Sequence, residues 1–204
     1  MNEFDNKAGD WDLNPVHIER SKAIARQMLL NLSISDSMKA MEFGAGTGLL
    51  SYYLKDRFRE ITLMDNSMEM LKKAEQKFEG DASVRLRTIY LNLESEEYDG
   101  DPFDIIFSQM VLHHIKDINA LFMKFYKLLN PGGILAIADL YQEDGSFHNG
   151  DLNVHRGFDP EKLIANLRMQ EFNVTNVLPC FVIRKEISSE EVKEYPVFLL
   201  TAEK

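Results

Sequence analysis

Residues 41–50 read "MEFGAGTGLL", with Gly44, Gly46 and Gly48 at every second position and Glu42 two residues before the first of them. Glycines spaced this way bring backbone, not side chain, against a ligand. Gly44 lets the chain turn sharply off a strand, Gly46 leaves bare backbone, and Gly48 lets a following helix pack close to a sheet. A dinucleotide fingerprint would read G-x-G-x-x-G/A. Here the third glycine comes one residue early and Leu49 follows it, which argues against a pyrophosphate on the helix N-terminus. Glu42 points the same way, because a carboxylate is unwelcome beside phosphates and suits an ammonium or sulfonium. Asp65 ends the segment "EITLMD", about 20 residues past the loop, where a carboxylate accepts both hydroxyls of a ribose.

Other side chains invite chemistry with less pattern behind them. His113 and His114 are adjacent, so their rings are expected to point apart and no metal is expected there, with one of the two facing a pocket. His148 and His155 share the stretch "YQEDGSFHNGDLNVHRGF" (141–158) with Asp144 and Asp151, in a spacing that fits no standard zinc pattern. Either histidine is a candidate to orient a substrate or take its proton near neutral pH. Tyr141 opens that stretch and is placed to border a substrate. Trp11, the single tryptophan, stands in a polar N-terminal segment that it either anchors or closes over a ligand, and Phe4 is placed to do the same. Cys180 lies in "VLPCFVI" and reads as core rather than nucleophile.

These residues need a scaffold, and the pattern supplies one. "NPVHIERSKAIARQMLLNLSI" (14–34) has apolar residues at helical spacing, with Asn14 and Pro15 as a start signal. Then follow a strand "MKAMEF", a helix "TGLLSYYLKDRF", a strand "EITLMD", a helix "SMEMLKKAEQKF" with Ser67 as N-cap, and strands "VRLRTIYLN" and "FDIIFSQ". A helix "DINALFMKFYKLLN" closed by "PGG", a strand "GILAIADL", a helix "DPEKLIANLRMQ" and an antiparallel pair, "FNVTNVLPCFVIRKEI" and "EYPVFLLTAEK", complete the chain. Strand and helix alternate, and the strands are apolar runs. That predicts an α/β fold with a doubly wound, mostly parallel seven-stranded sheet, helices on both faces and an antiparallel C-terminal hairpin. Ligands of such sheets bind beyond the carboxyl ends of the strands, so the loops after Phe43, Met64, Leu91, Ser108 and Leu140 matter most.

At 204 residues and 45% hydrophobic, the chain is long enough for one well-buried domain. The net charge of -10 comes with no basic stripe, which sets nucleic acid aside as a partner. No apolar run approaches the roughly 18 residues of a membrane span. The N-terminus is polar and acidic, and the one cysteine leaves no disulfide framework, so a cytoplasmic location is expected.

A nucleoside with a cationic, non-phosphate tail describes S-adenosylmethionine, and the chain resembles the class I S-adenosylmethionine-dependent methyltransferases. "EFGAGTG" resembles that family's first motif, E/D-x-G-x-G-x-G. "LMDNSMEML" resembles the second, and "FDIIFSQMVLHHI" followed by "LLNPGGILAIAD" resembles the fourth and later ones. The likeness covers roughly 38–140 and implies a Rossmann-like fold, S-adenosylmethionine as cofactor and S-adenosylhomocysteine as product. It implies that Gly44, Ala45 and Gly46 line the methionine moiety, with Glu42, Thr47 and Gly48 also among the cofactor-binding residues. Asp65 would hold the ribose, with Asn66 and Met68 flanking the adenine. Asn92, beside Leu93, stands where the third motif usually has an acid, and its carbonyl can still accept from the adenine amino group. Ser108, Gln109, Met110 and His113 would border the cofactor and reacting centre. "SQMV" stands where members that methylate planar amines tend to carry "NPPY", which turns the expectation toward a small-molecule acceptor. The chain then divides into an N-terminal cap (1–35), a cofactor-binding core (38–140), a lid or substrate loop (141–158) and a C-terminal helix and hairpin (159–204), as a monomer or homodimer. The substrate-side candidates are Trp11, Tyr141, His148 and His155, the last three of them also candidates for catalysis. Two alternatives remain: a cofactor-binding protein without catalysis, and a nicotinamide-dependent oxidoreductase.

Overall fold

The computed structural model describes residues 4–81, 85–188 and 191–204. Helix α1 spans Pro15–Asn31; Asn14 caps it, its side chain accepting from the Val16 N–H at 3.0 Å, and Pro15 sits where a missing N–H costs nothing. Strand β1 (Lys39–Phe43) runs into the glycine loop and helix α2 (Leu49–Leu54), which tightens into a 3-10 turn at Lys55–Arg57. Strand β2 (Glu60–Asp65) leads to α3 (Met68–Phe78), where the Ser67 hydroxyl accepts from the Met70 N–H. Strands β3 (Arg85–Tyr90) and β4 (Phe103–Gln109), helix α4 (Ile118–Leu128), strand β5 (Leu129–Leu140), helix α5 (Pro160–Met169) and strands β6 (Asn173–Ser188) and β7 (Glu191–Glu203) follow.

The seven strands form one sheet in the order β3-β2-β1-β4-β5-β7-β6. The first five are parallel, and β7 enters between β5 and β6, antiparallel to both. This is the expected Rossmann-like α/β sheet. Strand alternation divides its side chains between two apolar layers. Ile105 and Phe107 of β4 pack with Ile24 of α1 and Leu50 of α2 on one face. Ile106 packs with Phe122 and Phe125 of α4 and Leu163 of α5 on the other. The chain order reverses between β1 and β4, so the carboxyl ends of β1, β2, β4 and β5 surround the crevice where a ligand can sit.

The boundaries differ from the sequence reading in identifiable places. The second helix stops at Leu54 rather than 58, because its last residues tighten into the 3-10 turn. Strand β5 begins at Leu129 and absorbs the "PGG" segment, because the chain's end pairs with it: the Lys204 N–H bonds to the Gly133 carbonyl at 2.9 Å, and the Gly132 N–H to the Lys204 carbonyl at 3.0 Å. Val84, the expected start of the third strand, and residues 189–190 of the acidic connection lie outside the described residues.

Phe107 is fully buried at the centre of the sheet and stacks on Phe58 with ring centroids 6.0 Å apart. Phe107→Ala is expected to lower unfolding free energy by about 3–5 kcal/mol in urea titrations. Tyr90→Ala, on the exposed end of the β3 edge strand, is expected to change it by about 0.5 kcal/mol or less.

Candidate active site

The carboxyl ends of these strands open into a cavity of about 700 Å³. Its floor is the glycine loop. Gly44 (φ +62°) is packed so tightly that a Cβ there would stand 2.4 Å from Val111 Cγ2. Gly46 (φ +54°) faces open space, where the nearest heavy atom to such a Cβ is Met70 Sδ at 4.0 Å. Gly46 therefore presents bare backbone to the cavity. Gly48 (φ +71°) lets α2 settle on its neighbours, since a Cβ would come within 3.0 Å of Leu63 and 3.2 Å of Phe78.

Asp65, at the end of β2, fixes this loop. One carboxylate oxygen accepts from the Gly46 N–H and the other from the Ser67 N–H, each at 2.7 Å. Burial pushes its pKa up, and backbone N–H groups of Gly46, Ser67 and Asn66 pull it back. An N-terminal strap closes over the same corner. The Thr47 hydroxyl donates to Asp12 Oδ1 at 2.6 Å, Lys77 pairs with Asp12 Oδ2 at 2.8 Å, and the Ser67 hydroxyl donates to Asp5 Oδ1 at 2.6 Å. Trp11 lies against His17, with ring centroids 4.3 Å apart, and Phe4 meets His114 edge-on. Trp11 and Phe4 both line the cavity.

Most of the sequence candidates converge here. Gly44, Ala45, Gly46, Asp65, Asn66, Asn92, Leu93, Gln109, Met110, His113 and His148 form part of the wall. The remaining candidates lie elsewhere, each for a local reason. Glu42 does not reach the cavity: strand alternation points it toward α2, where it accepts from the Ser51 N–H and hydroxyl. Burial raises its pKa to about 7 and leaves Oε1 without a partner. Contrary to the expectation from sequence, the Glu42 carboxyl therefore faces Ser51 and not the cavity. Thr47 ties down the strap, and Gly48 packs the helix. Met68, the first residue of α3, points outward at 43% exposure, and Met70 takes its expected place on the wall. Ser108 is buried within β4. Tyr141 packs edge-on against Phe198 and bridges to Phe158 in the core. His155 is a strut: its Nε2 lies 2.9 Å from the Ile115 carbonyl and its N–H bonds the His113 carbonyl at 2.7 Å.

The far end of the cavity joins His113, His148 and Asp151, which the sequence named, to Phe147 and Lys185, which it did not single out. The 141–158 segment leaves and returns beside itself: the Gln142 N–H bonds the Phe158 carbonyl and the Glu143 N–H the Arg156 carbonyl, each at 2.9 Å. Its tip supplies Phe147, His148 and Asp151 to the wall, and Lys185 of β6 holds it by donating to the Phe147 carbonyl at 2.6 Å. His113 Nδ1 lies 2.6 Å from Asp139 Oδ1, with both side chains almost fully buried. Burial works against the Asp139 carboxylate, yet His113 beside it and hydrogen bonds from His113 and Leu140 hold its pKa below the usual range.

His113 and His114 do not diverge as expected: their ring centroids are 4.3 Å apart, and the His148 ring joins them at 4.8 and 5.3 Å. One ring nitrogen from each lies within 4.8 Å of the others, so these are the described residues that could turn toward a metal ion. Ligands of a tetrahedral zinc with bonds of roughly 2.0–2.1 Å would stand closer together, at about 3.3–3.4 Å. Lys7 and Lys185 act on this cluster with positive charge. The third cation on the wall is Arg20, which α1 carries four residues before the buried Ile24, on the stripe that faces the sheet.

The comparisons agree with this geometry. A family profile described as "Methyltransferase domain" matches residues 41–135. An uncharacterized methyltransferase of Schizosaccharomyces pombe is 31% identical over 144 residues, covering 62% of this chain and 50% of that protein. The chain thus spans about half the length of the first curated relatives it matches. Among solved structures, N-methyltransferase NodS of Bradyrhizobium japonicum with S-adenosyl-l-homocysteine superposes with a TM-score of 0.68 at 19% identity, covering 94% of this chain and 88% of NodS. The [4+2]-cyclase SpnF superposes with a TM-score of 0.71 at 15% identity, covering 90% of this chain and 80% of SpnF. At such identities the likeness is one of fold.

Burial lowers the pKa of His114 to about 3 and of His148 to about 4, from 6.5, with His113 adding to both shifts. Both bind protons less readily folded than unfolded, so they withdraw stability as pH falls from about 6.5 toward 4. Glu42, raised to about 7, acts with opposite sign over much of that range. The comparison that isolates the histidine is wild type against His148→Gln. Urea midpoints at pH 7.5, 6 and 5 are expected to fall less toward acid in the variant. An identical pH profile would contradict a neutral, half-buried His148.

Proposed function

We propose that this chain is a class I S-adenosylmethionine-dependent methyltransferase and passes the cofactor's methyl group to a small-molecule acceptor held beneath the 141–158 loop. The observation that carries the reading is the pairing of Gly46 and Asp65: bare backbone open to the cavity, with a carboxylate fixed beside it. The cavity fits the cofactor in other respects. Met70, Leu91 and Leu93 give an apolar bed for an adenine, Asp65 stands where ribose hydroxyls would donate, and the Gly44–Gly46 backbone borders the methionyl end. Asn92 Oδ1 already accepts from the Glu94 N–H at 3.1 Å, which leaves its second lone pair for an adenine amino group.

Bound S-adenosylmethionine supplies a methyl group already activated on sulfonium and leaves as S-adenosylhomocysteine. The chain's task is to hold an acceptor atom in line with that methyl and exclude water, which lowers a barrier by roughly 7–11 kcal/mol in favourable cases. The strap over the glycine loop and the docked 141–158 tip provide the enclosure. His148, neutral and with Nε2 buried without a partner, is the side chain best placed to touch the acceptor or take its proton. Tyr141 and His155 are withdrawn from that role by their packing. A cavity of about 700 Å³ lies within the roughly 300–1,000 Å³ range of small-molecule sites, which supports an acceptor of modest size.

A second reading, cofactor binding without methyl transfer, is favoured by the likeness to SpnF, which is named as a cyclase rather than a methyltransferase. Its mark would be tight binding of S-adenosylmethionine with no S-adenosylhomocysteine formed on any acceptor pool.

Thermal unfolding with S-adenosylmethionine, S-adenosylhomocysteine and NADH in parallel tests the cofactor assignment. Each sulfur ligand at about 100 times its dissociation constant is expected to add roughly 2.7 kcal/mol, with no shift from NADH. No shift with the sulfur ligands would overturn the reading. Asp65→Ala removes a charged acceptor and the anchor of Gly46, and calorimetry is expected to show about 10- to 100-fold weaker S-adenosylhomocysteine binding. Unchanged affinity would mean that Asp65 serves only the loop.

A further inference from the structure

Three imidazoles share one part of the cavity wall. His113 and His114 come from the 3-10 turn Leu112–His114 after β4, and His148 comes from the tip of the 141–158 segment. Their ring centroids stand 4.3, 4.8 and 5.3 Å apart, and one ring nitrogen from each lies within 4.8 Å of the other two. Three imidazoles bound to one tetrahedral ion through bonds of roughly 2.0–2.1 Å would place their ring centres about 5 Å apart. The rings therefore already have the spacing of such ligands, and what remains is to turn their nitrogens inward. Two further observations point to a ligand there. Asp139 Oδ1 lies 2.6 Å from His113 Nδ1, and the Leu140 and His113 N–H groups donate to the same carboxylate at 2.7 and 3.3 Å. A carboxylate on Nδ1 puts the ring proton there and leaves the Nε2 lone pair free, the arrangement that backs metal-ligating histidines. His148 Nε2 is buried and has no hydrogen-bond partner, a state that calls for a bound group. Two carboxylates bring negative charge: Asp139 behind His113, and Asp151, whose N–H bonds the His148 carbonyl at 3.1 Å. The two lysines on this wall are committed elsewhere. Lys185 donates to the Phe147 carbonyl at 2.6 Å and to Asn149 Oδ1 at 3.3 Å, and Lys7 lies over the Phe4 ring.

We propose that His113, His114 and His148 bind one divalent transition-metal ion of the zinc class, with a coordination position left open to the cavity. Three imidazole donors select zinc or its first-row neighbours over magnesium and calcium, which take oxygen ligands. Three protein ligands with a free fourth position is the count of a catalytic zinc site rather than a structural one. The ion would also tie the loop tip to the turn after β4, adding a metal link to the hydrogen bond by which Lys185 holds that tip. The site goes beyond the methyltransferase reading and does not require it. Under that reading, the ion would supply a Lewis acid for an oxygen, nitrogen or sulfur of the acceptor, and His148 would meet the acceptor through the ion rather than directly.

The test uses the whole chain, stripped with a chelator and dialysed to neutral pH. Zn2+ is titrated in competition with a chromophoric chelator, and Co2+ by its visible absorption, for wild type, His114→Gln, His148→Gln and Asp139→Asn. Wild type is expected to bind one equivalent of Zn2+, to unfold at a higher temperature with it, and to show the visible bands of a low-coordinate Co2+ site. Azide is expected to shift those bands, because one position is open. Asp139→Asn is expected to weaken Zn2+ roughly 10–100-fold, the loss typical of a group that orients a ligand, and His114→Gln and His148→Gln by at least as much. Urea midpoints of the metal-free variants show whether each folds. His114 and His148 are only half-buried, so their variants keep the test decisive if Asp139→Asn does not fold. No Zn2+ bound by wild type would overturn the proposal. So would Zn2+ binding that ignores both histidine variants, which would place the ion elsewhere, or Co2+ bands that azide leaves unchanged. S-adenosylhomocysteine affinity of the wild type is measured in parallel. Its absence would overturn the methyltransferase reading, whereas normal S-adenosylhomocysteine binding without Zn2+ binding would overturn the metal site alone.

Discussion

The two hydrogen bonds that Asp65 accepts, from Gly46 and Ser67, are the constraint on which the rest of the site depends. They join the loop after β1 to the loop after β2 and hold Gly46 in a left-handed conformation with its backbone turned to the cavity. A side chain at Gly44 would collide with Val111, so the loop approaches the strand ends closely only because it is glycine. The same carboxylate sets where α3 begins. Ser67 N–H bonds to it, and the Ser67 hydroxyl turns outward to Asp5 of the strap. Fold, glycine loop and N-terminal closure therefore meet at one side chain.

Sequence made this corner legible because it is local. The glycine spacing, the acid ending the next strand and the apolar strand runs all lie within a few tens of residues, and each has a direct backbone consequence. Where the sequence reading erred, side-chain direction was the missing quantity. Glu42 stands beside the glycine loop in sequence, but β1 alternates Glu42 toward α2 and Phe43 toward the cavity. Met68 and Met70 are two residues apart on one helix, and the Ser67 cap fixes the phase that sends the first outward and the second inward. Tyr141 follows β5 at the cavity end of the sheet, yet it turns to Phe198 because the next segment immediately pairs back with β5's end.

The far end of the cavity was not legible because no short stretch contains it. Arg20 comes from α1, His113 and His114 from the turn after β4, Asp139 from β5, His148 from the loop tip and Lys185 from the hairpin. The histidines were read apart because adjacent residues usually diverge. A 3-10 turn at Leu112–His114 and a histidine arriving from the loop bring three rings together instead. Arg20 did leave a sequence signal. A charged residue four positions before Ile24, on the buried stripe it shares with Ser21, Ala25 and Met28, breaks the helical pattern. Such breaks mark either an ion pair or a site, and here no described residue supplies the pair.

The two ends of the cavity thus solve opposite problems. At the glycine end, the Asp65 carboxylate is already satisfied by the Gly46 and Ser67 N–H groups and needs no further neutralisation. At the other end, positive charge is left without a partner and neutral imidazoles crowd together, an arrangement that costs stability in the empty protein. Cost of this kind persists where ligand binding relieves it. A ligand that gives Arg20 Nε and His148 Nε2 the partners they lack would relieve that cost, and the tip of the 141–158 segment lies against the space it would fill.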